Sequence, residues 1–376
     1  MIKSVSRLPY LDSARGLAAM SVITWHCYTA IFDHPEMTKL YTSPLHFFLY
    51  GEADMIFFFI HSGFILSYAH AYFTKSIEGA AYVKYIIARI FRIYPLFICI
   101  LLLSFFLQRN LHSSAGSEFL SAHFKKFWNS TTSFSDLLHQ GLLAVRIPAD
   151  ISDRLIPQDW TLTVEVLICP LIPFINYFTR KAKVISWIAV ILLIEVLHAN
   201  TYLFEFAIGV NIFYFRHQIS DYWNKSTLLL RGIFLISAAL LYSVFFHYPN
   251  IFNGLSFVFS PAIDRLMVGT GSAMFFIIIL NARAVQRVIS MPALVRVGKI
   301  CYSLYVNHIL VLICLTNIIM GTLHQWIKGP EWVIIVSFVL VIQTVNLLLS
   351  FITYNLIEKP FNKFGRQLTL RIPSSG

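Results

Sequence analysis

Apolar residues come in runs close to the length of a membrane span, and the polar residues that interrupt them are few. A spanning helix takes about 20 mostly apolar residues. Ten segments approach that pattern, at roughly 12–31, 46–72, 93–108, 160–178, 184–198, 200–216, 228–246, 262–281, 300–322 and 331–356, the third, fifth and sixth being short. The expected fold is all-α, a polytopic membrane helical bundle of about ten transmembrane helices. One connection stands out, a loop at about 109–159 that is mixed in charge and rich in Ser, His and aromatics. A loop of that length is usually functional or disordered. Within it, residues 134–147 have the spacing of an interfacial amphipathic helix, with Leu137, Leu138, Leu142 and Val145 on one side. The last dozen residues read as a frayed tail. The expected organisation is one integral-membrane domain over 1–360 and a short cytoplasmic tail over 361–376.

Composition removes the alternatives. The chain is 57% hydrophobic and only 12% charged, with a mean hydropathy of +0.69. A soluble globular protein is about a quarter charged. The formal charge of +11 does not indicate nucleic acid, because the basic residues fall in short connections and no basic amphipathic repeat or zinc spacing accompanies them. Their distribution orients the chain instead. With the N-terminus inside, the inner segments hold 20 of the 29 Lys and Arg residues, so both termini are expected in the cytoplasm. The five cysteines are scattered through apolar segments and read as small buried hydrophobes. Asp12 and Arg15 at the head of the first run, with no small-residue cleavage site after it, argue against a signal peptide.

The chemistry lies in the polar residues inside the apolar runs. The first segment carries Asp12 and Arg15 near one end and His26 about three turns on. Eleven residues at about 100° each bring His26 back to within roughly 20° of the Arg15 face. An imidazole deep in a bilayer is costly and by default marks a functional site; a helix–helix hydrogen bond is the plainer reading. Arg89 and Arg92, three apart before the third run, form either a positive-inside anchor or a fork for phosphates. The fourth segment brings Trp160 and Glu165. Counting about 1.5 Å per residue from opposite membrane faces puts Glu165 level with His26, where the two can form an oriented acid–base pair. The second segment buries Asp54, His61 and Ser62, and the ninth buries Tyr302, Ser303, Asn307 and His308. These are either polar glue between helices, the preferred reading for His61, or the lining of a cavity. Glu195 and Glu205 are buried acids without an assigned partner, and Glu358, beside Lys359, reads as structural. No phosphate-loop glycines, metal-spaced His/Cys set or nucleophile elbow appears.

Taken in order, six stretches resemble the membrane acyltransferase 3 family of sugar and small-molecule O-acylating enzymes. They are LDSARGLAAMSVITWH, ADMIFFFIHSGFILS, ARIFRIYP, DWTLTVEV, CYSLYVNH and IEKPF. The chain departs from the family pattern at Glu52-Ala53, His61 and Asn307, around the expected cavity. The resemblance implies acyl-CoA as donor, with acetyl-CoA the expected one; no metal is expected, since no metal-spaced set of ligands is present. The resemblance also implies that His26 is catalytic with Glu165 supporting it, and that Arg15, Arg89 and Arg92 contact the donor or organise the site. His26 would act as general base on an acceptor hydroxyl, or take the acyl group itself and pass it on. The expected acceptor is a cell-surface polysaccharide or lipid-linked sugar at the cell inner membrane. The alternatives are a small-molecule acceptor such as a macrolide, and a proton-coupled transporter or flippase, which calls for a symmetric pair of broken helices not seen here.

Overall fold

The computed structural model describes residues 8–31, 50–111, 118–128, 130–143, 154–181, 202–243 and 261–373. The described residues contain helices and turns and no strand. In chain order the helices are α1 (Pro9–Ala30), α2 (Gly51–Ala69), α3 (Gly79–Leu111), α4 (Phe134–Gly141), α5 (Asp159–Ile168), α6 (Ile172–Lys181), α7 (Leu203–Lys225), α8 (Leu228–Tyr242), α9 (Pro261–Asn281), α10 (Arg283–Ile289), α11 (Pro292–Lys299), α12 (Cys301–Trp326), α13 (Glu331–Thr353) and α14 (Lys359–Leu370). The expected fifth segment, 184–198, and its Glu195 lie outside the described residues.

Length and composition together pick out fewer spans than the ten expected. Four helical stretches are long and apolar enough to cross a membrane: 79–110, 159–181 with a 3₁₀ turn at its middle, 301–326 and 331–370. A fifth joins α9 to α10 across an 87° bend. The helices α1 and α2 fall outside that set, yet they sit at the centre of the bundle, where α1 packs on α2, α11, α12 and α13. A helix surrounded by other helices has no lipid to face, so small and polar residues replace the apolar run.

Backbones approach closely where glycine permits it. A Cβ on Gly209 of α7 would lie 2.0 Å from the Ile60 carbonyl oxygen of α2, and one on Gly63 would lie 2.1 Å from that of Phe206. Gly16 of α1 likewise meets Gly298 of α11, with 2.7 Å from its would-be Cβ to the Gly298 nitrogen. That contact seats α1 against α11 immediately next to Arg15, the first guanidinium of the chain's polar stripe.

Three boundaries differ from expectation. The third helix starts at Gly79, not near 93, and runs through Pro95. The basic approach is itself helical, so Arg89 stands ten residues, about 15 Å, inside α3. The amphipathic helix expected at 134–147 ends at Gly141, capped by the Ser133 side chain on the Asp136 amide. It buries Leu137 against α3 but exposes Leu138 and Leu142, so these leucines do not share one face; Val145 lies outside the described residues. The chain also stays helical past 360. A π-helical turn, Tyr354–Glu358, leads into α14, where Gly365 and Phe364 pack on Phe91 of α3.

Candidate active site

Two clefts open along α1, one at each end of its polar stripe. The first, of about 50 Å³, is lined by Arg15, Ser62, Thr161, Glu165, Tyr302 and Tyr305 with Met55, Phe58 and Phe59. The second, of about 460 Å³, holds His26 with Glu52, His123, Arg154, Gln158 and Trp160. Met55 and Tyr305 belong to both walls, so the clefts meet there. Arg15 and His26 therefore line adjacent spaces and stand about 16 Å apart along one helix.

Around the smaller cleft the charges are paired. Arg89 of α3 forms an ion pair with Glu165 of α5. The antiparallel register of these helices sets it up: Tyr82 and Tyr85 donate their hydroxyls to the Pro170 and Cys169 carbonyls, 3.2 and 2.8 Å away. Arg92 lies 3.8 Å from Glu358, which also accepts the Ser303 hydroxyl at 2.7 Å. The π-helical turn carries Glu358 inward to 2% exposure. Tyr302 donates its hydroxyl to the Ile93 carbonyl. Arg15 and Arg89 both stand within electrostatic range of Arg92. With Asp12 in the same surroundings, three guanidiniums stand among three carboxylates, and the Nε of Arg15 is buried with no hydrogen-bond partner. A buried guanidinium donor left without a partner favours an anionic or strongly dipolar ligand.

This geometry corrects the expected pairing of His26 with Glu165. The depth count took α5 to start at the membrane face, a turn and a half outside the histidine. Instead α5 starts beside His26, because Trp160 lines the histidine's cleft. Glu165, five residues on, lies about 7 Å further toward Arg15. The arginines move too: they sit along α3 at the level of Glu165, not at its rim.

His26 has a different neighbour. Its ring centroid is 5.0 Å from that of His308 on α12, and the edge of Phe124 stands 6.5 Å away. The Nδ1 of His308 is bonded to the Tyr305 carbonyl. Gln158 reaches from the turn before α5 to the Val306 carbonyl at 2.9 Å, and Thr161 donates to the Tyr305 hydroxyl at 2.7 Å. The described segments of the long loop, through His123, Phe127, Arg154, Pro157 and Gln158, form one side of this cleft. Partial burial, and secondarily Lys126, hold the His123 imidazole below its ordinary pKa.

Other expected site residues lie elsewhere. The carboxylate of Asp54 faces away and accepts the Tyr242 hydroxyl of α8 at 2.7 Å. Asn307 ties α12 to α13 through Ser350 and Thr353, at 3.2 and 3.0 Å. His61 holds α2 to α1, its Nε2 donating to the Leu11 carbonyl at 3.0 Å. Asp12 sits in the first turn of α1, half-buried, with its backbone against Gly298. Two residues passed over in the sequence belong to the site. Glu358 joins the arginine cluster, and IEKPF was its signal. Glu52 lines the His26 cleft, where it accepts the Tyr50 hydroxyl at 3.3 Å; its signal was the departure from the family pattern just before Asp54.

The fold is that of a helical, multi-pass membrane protein with His26 in the wider of two adjacent clefts. The model of the acyltransferase domain family, acyltransferase 3, matches residues 8–353, and the chain belongs to that family of membrane acyltransferases. Comparison with curated proteins and with solved structures gives no match.

Proposed function

We propose that this acyltransferase moves an acetyl group from acetyl-CoA to a hydroxyl of a cell-surface polysaccharide or its lipid-linked precursor, working in the cell inner membrane with ten spans and both termini in the cytoplasm. The observation that carries the reading is the meeting of two unlike clefts at Met55 and Tyr305. The Arg15 cleft is narrow and holds an unpartnered guanidinium donor, suited to an anionic group of the donor. The His26 cleft is wide and offers Trp25, Trp160, Tyr50 and Tyr202 beside Glu52. Flat aromatic faces with a hydrogen-bonding carboxylate suit a sugar ring.

In this reading the acceptor lies against Trp160, and His26 takes the hydroxyl proton as the oxygen attacks the thioester carbonyl. The new C–O bond forms, the C–S bond breaks, and the His26 imidazolium returns its proton to the departing thiolate. Arg15, about 16 Å from His26 along α1, holds an anionic part of the donor rather than the reacting carbonyl. Glu165 acts at one remove, by holding Arg89 beside the donor.

The test compares O-acetyl content of the surface glycan, by NMR, in a deletion strain, its parent, and the deletion strain carrying His26→Ala. Acetyl signals present in the parent and absent from both other strains are expected. Full acetylation with His26→Ala would remove the histidine from the chemistry. An unchanged glycan in the deletion strain would move the acceptor to a small molecule.

A further inference from the structure

Among the described residues, one buried polar atom that the pairings above leave without a partner is the second nitrogen of His308. This side chain is fully buried, at 0% exposure. Its Nδ1 is bonded to the Tyr305 carbonyl, and a carbonyl only accepts, so Nδ1 carries the hydrogen. The neutral ring then presents Nε2 as a bare acceptor, and that Nε2 is buried with no hydrogen-bond partner. A buried acceptor without a donor carries a desolvation cost of about 1–3 kcal/mol. The His26 ring lies 5.0 Å away, centroid to centroid. One N–H···N hydrogen bond spans that separation when the nitrogens face each other.

We propose that His308 is a positioning residue for His26: its Nε2 accepts a hydrogen bond from one ring nitrogen of His26 and so leaves the other nitrogen, lone pair outward, facing the acceptor cleft. The inference rests on the reading of His26 as the general base. It adds what that reading lacks once Glu165 is committed to Arg89, namely the group that fixes the tautomer of the base and receives its N–H when the ring becomes an imidazolium. The acceptor is neutral, which suits an interior where a second carboxylate would itself be costly to bury. The other titratable or charged groups lining the cleft are Glu52, His123 and Arg154, with the phenols of Tyr50, Tyr202 and Tyr305.

The experiment uses the full chain in membrane vesicles that retain the native glycan, with radiolabelled acetyl-CoA as probe. His308→Leu keeps an apolar group of similar size and removes the acceptor; His308→Gln restores an acceptor oxygen. The expected result for His308→Leu is a kcat lower by on the order of 10²-fold, with the KM for acetyl-CoA unchanged. A base without its acceptor partner is less basic, so the rising limb of the pH–kcat profile moves to lower pH. His308→Gln recovers most of the rate and the parental limb. Parental kcat and pH limb in His308→Leu, with His26→Ala inactive, would overturn the inference and leave the general base in place. An active His26→Ala would overturn the reading beneath it. Should His308→Leu fail to fold, nitrogen-15 NMR of histidine-labelled wild-type protein decides. The bare nitrogen of His308 is expected to carry a hydrogen-bonded shift that disappears in His26→Ala, and the same shift in both proteins overturns the proposal.

Discussion

Glu165 closes on Arg89, across the antiparallel contact of α5 and α3, while His26 turns to His308. The ion pair is mostly buried, with side-chain exposures of 17% and 23%. Removing one partner of such a pair leaves an uncompensated charge inside the bundle, at a cost of about 3 kcal/mol. Glu165→Leu and Arg89→Leu should each lower the thermal midpoint in detergent, and the double substitution should lie closer to the parent than either single one. Additive losses would show that the two side chains do not depend on each other.

This relationship also shows where the sequence could be read and where it could not. The residue types of the site were legible, since a histidine, a carboxylate and three arginines in apolar runs have few other reasons to be there. Their partners were not. Depth along a helix is countable only if the helix starts at the membrane face, and α3 and α5 violate that at opposite ends. The π-helical turn that carries Glu358 inward has no periodic signature, because it adds one residue to a turn that otherwise continues the helix. The first two helices were legible as apolar runs as well as by their motifs, yet they fall outside the set that length and hydropathy pick out in the structure, because helices buried among helices need not be lipophilic.

Close approach of α2 and α7 makes a second prediction. Gly209 has the Ile60 carbonyl where its side chain would be, whereas Gly232 of α8 has nothing within 4 Å. Gly209→Leu forces the α2 and α7 backbones away from each other and should cost at least about 3 kcal/mol. Gly232→Ala should be neutral or slightly stabilising, since alanine is the better helix former by about 1 kcal/mol. Thermal melts of the two variants in one detergent check the contrast, and similar losses in both would contradict the packing.

At the arginine cluster, charge and shape can be separated. Arg15→Lys keeps the cation but removes the planar fork of donors. If the Arg15 guanidinium contacts the donor, this substitution should raise the KM for acetyl-CoA by about tenfold, or about 1.4 kcal/mol, and Arg15→Ala should raise it further. Glu358→Gln should act differently. It leaves Arg92 less compensated and lowers stability with a smaller effect on KM. Titration of acetyl-CoA against transfer rate in membranes distinguishes them, and an unchanged KM in Arg15→Ala would assign that residue to structure alone.

The junction at Met55 and Tyr305 offers the sharpest test of the two-cleft arrangement. Met55 is 8% exposed and borders both spaces, so a larger side chain there fills the passage without touching Arg15 or His26. Met55→Trp should reduce acetyl transfer at least about tenfold while acetyl-CoA affinity changes little, because a blocked near-attack geometry costs rate and not donor binding. Met55→Ala opens the passage and should admit acyl-CoA donors longer than acetyl, at a cost to stability of about 2–5 kcal/mol for the lost side chain. Equilibrium binding of labelled acetyl-CoA, set beside transfer rates for acetyl, propionyl and butyryl donors, reads both effects. Equal losses of binding and transfer in Met55→Trp would mean that donor and acetyl group occupy the same cleft, and the division of labour along α1 would have to be redrawn.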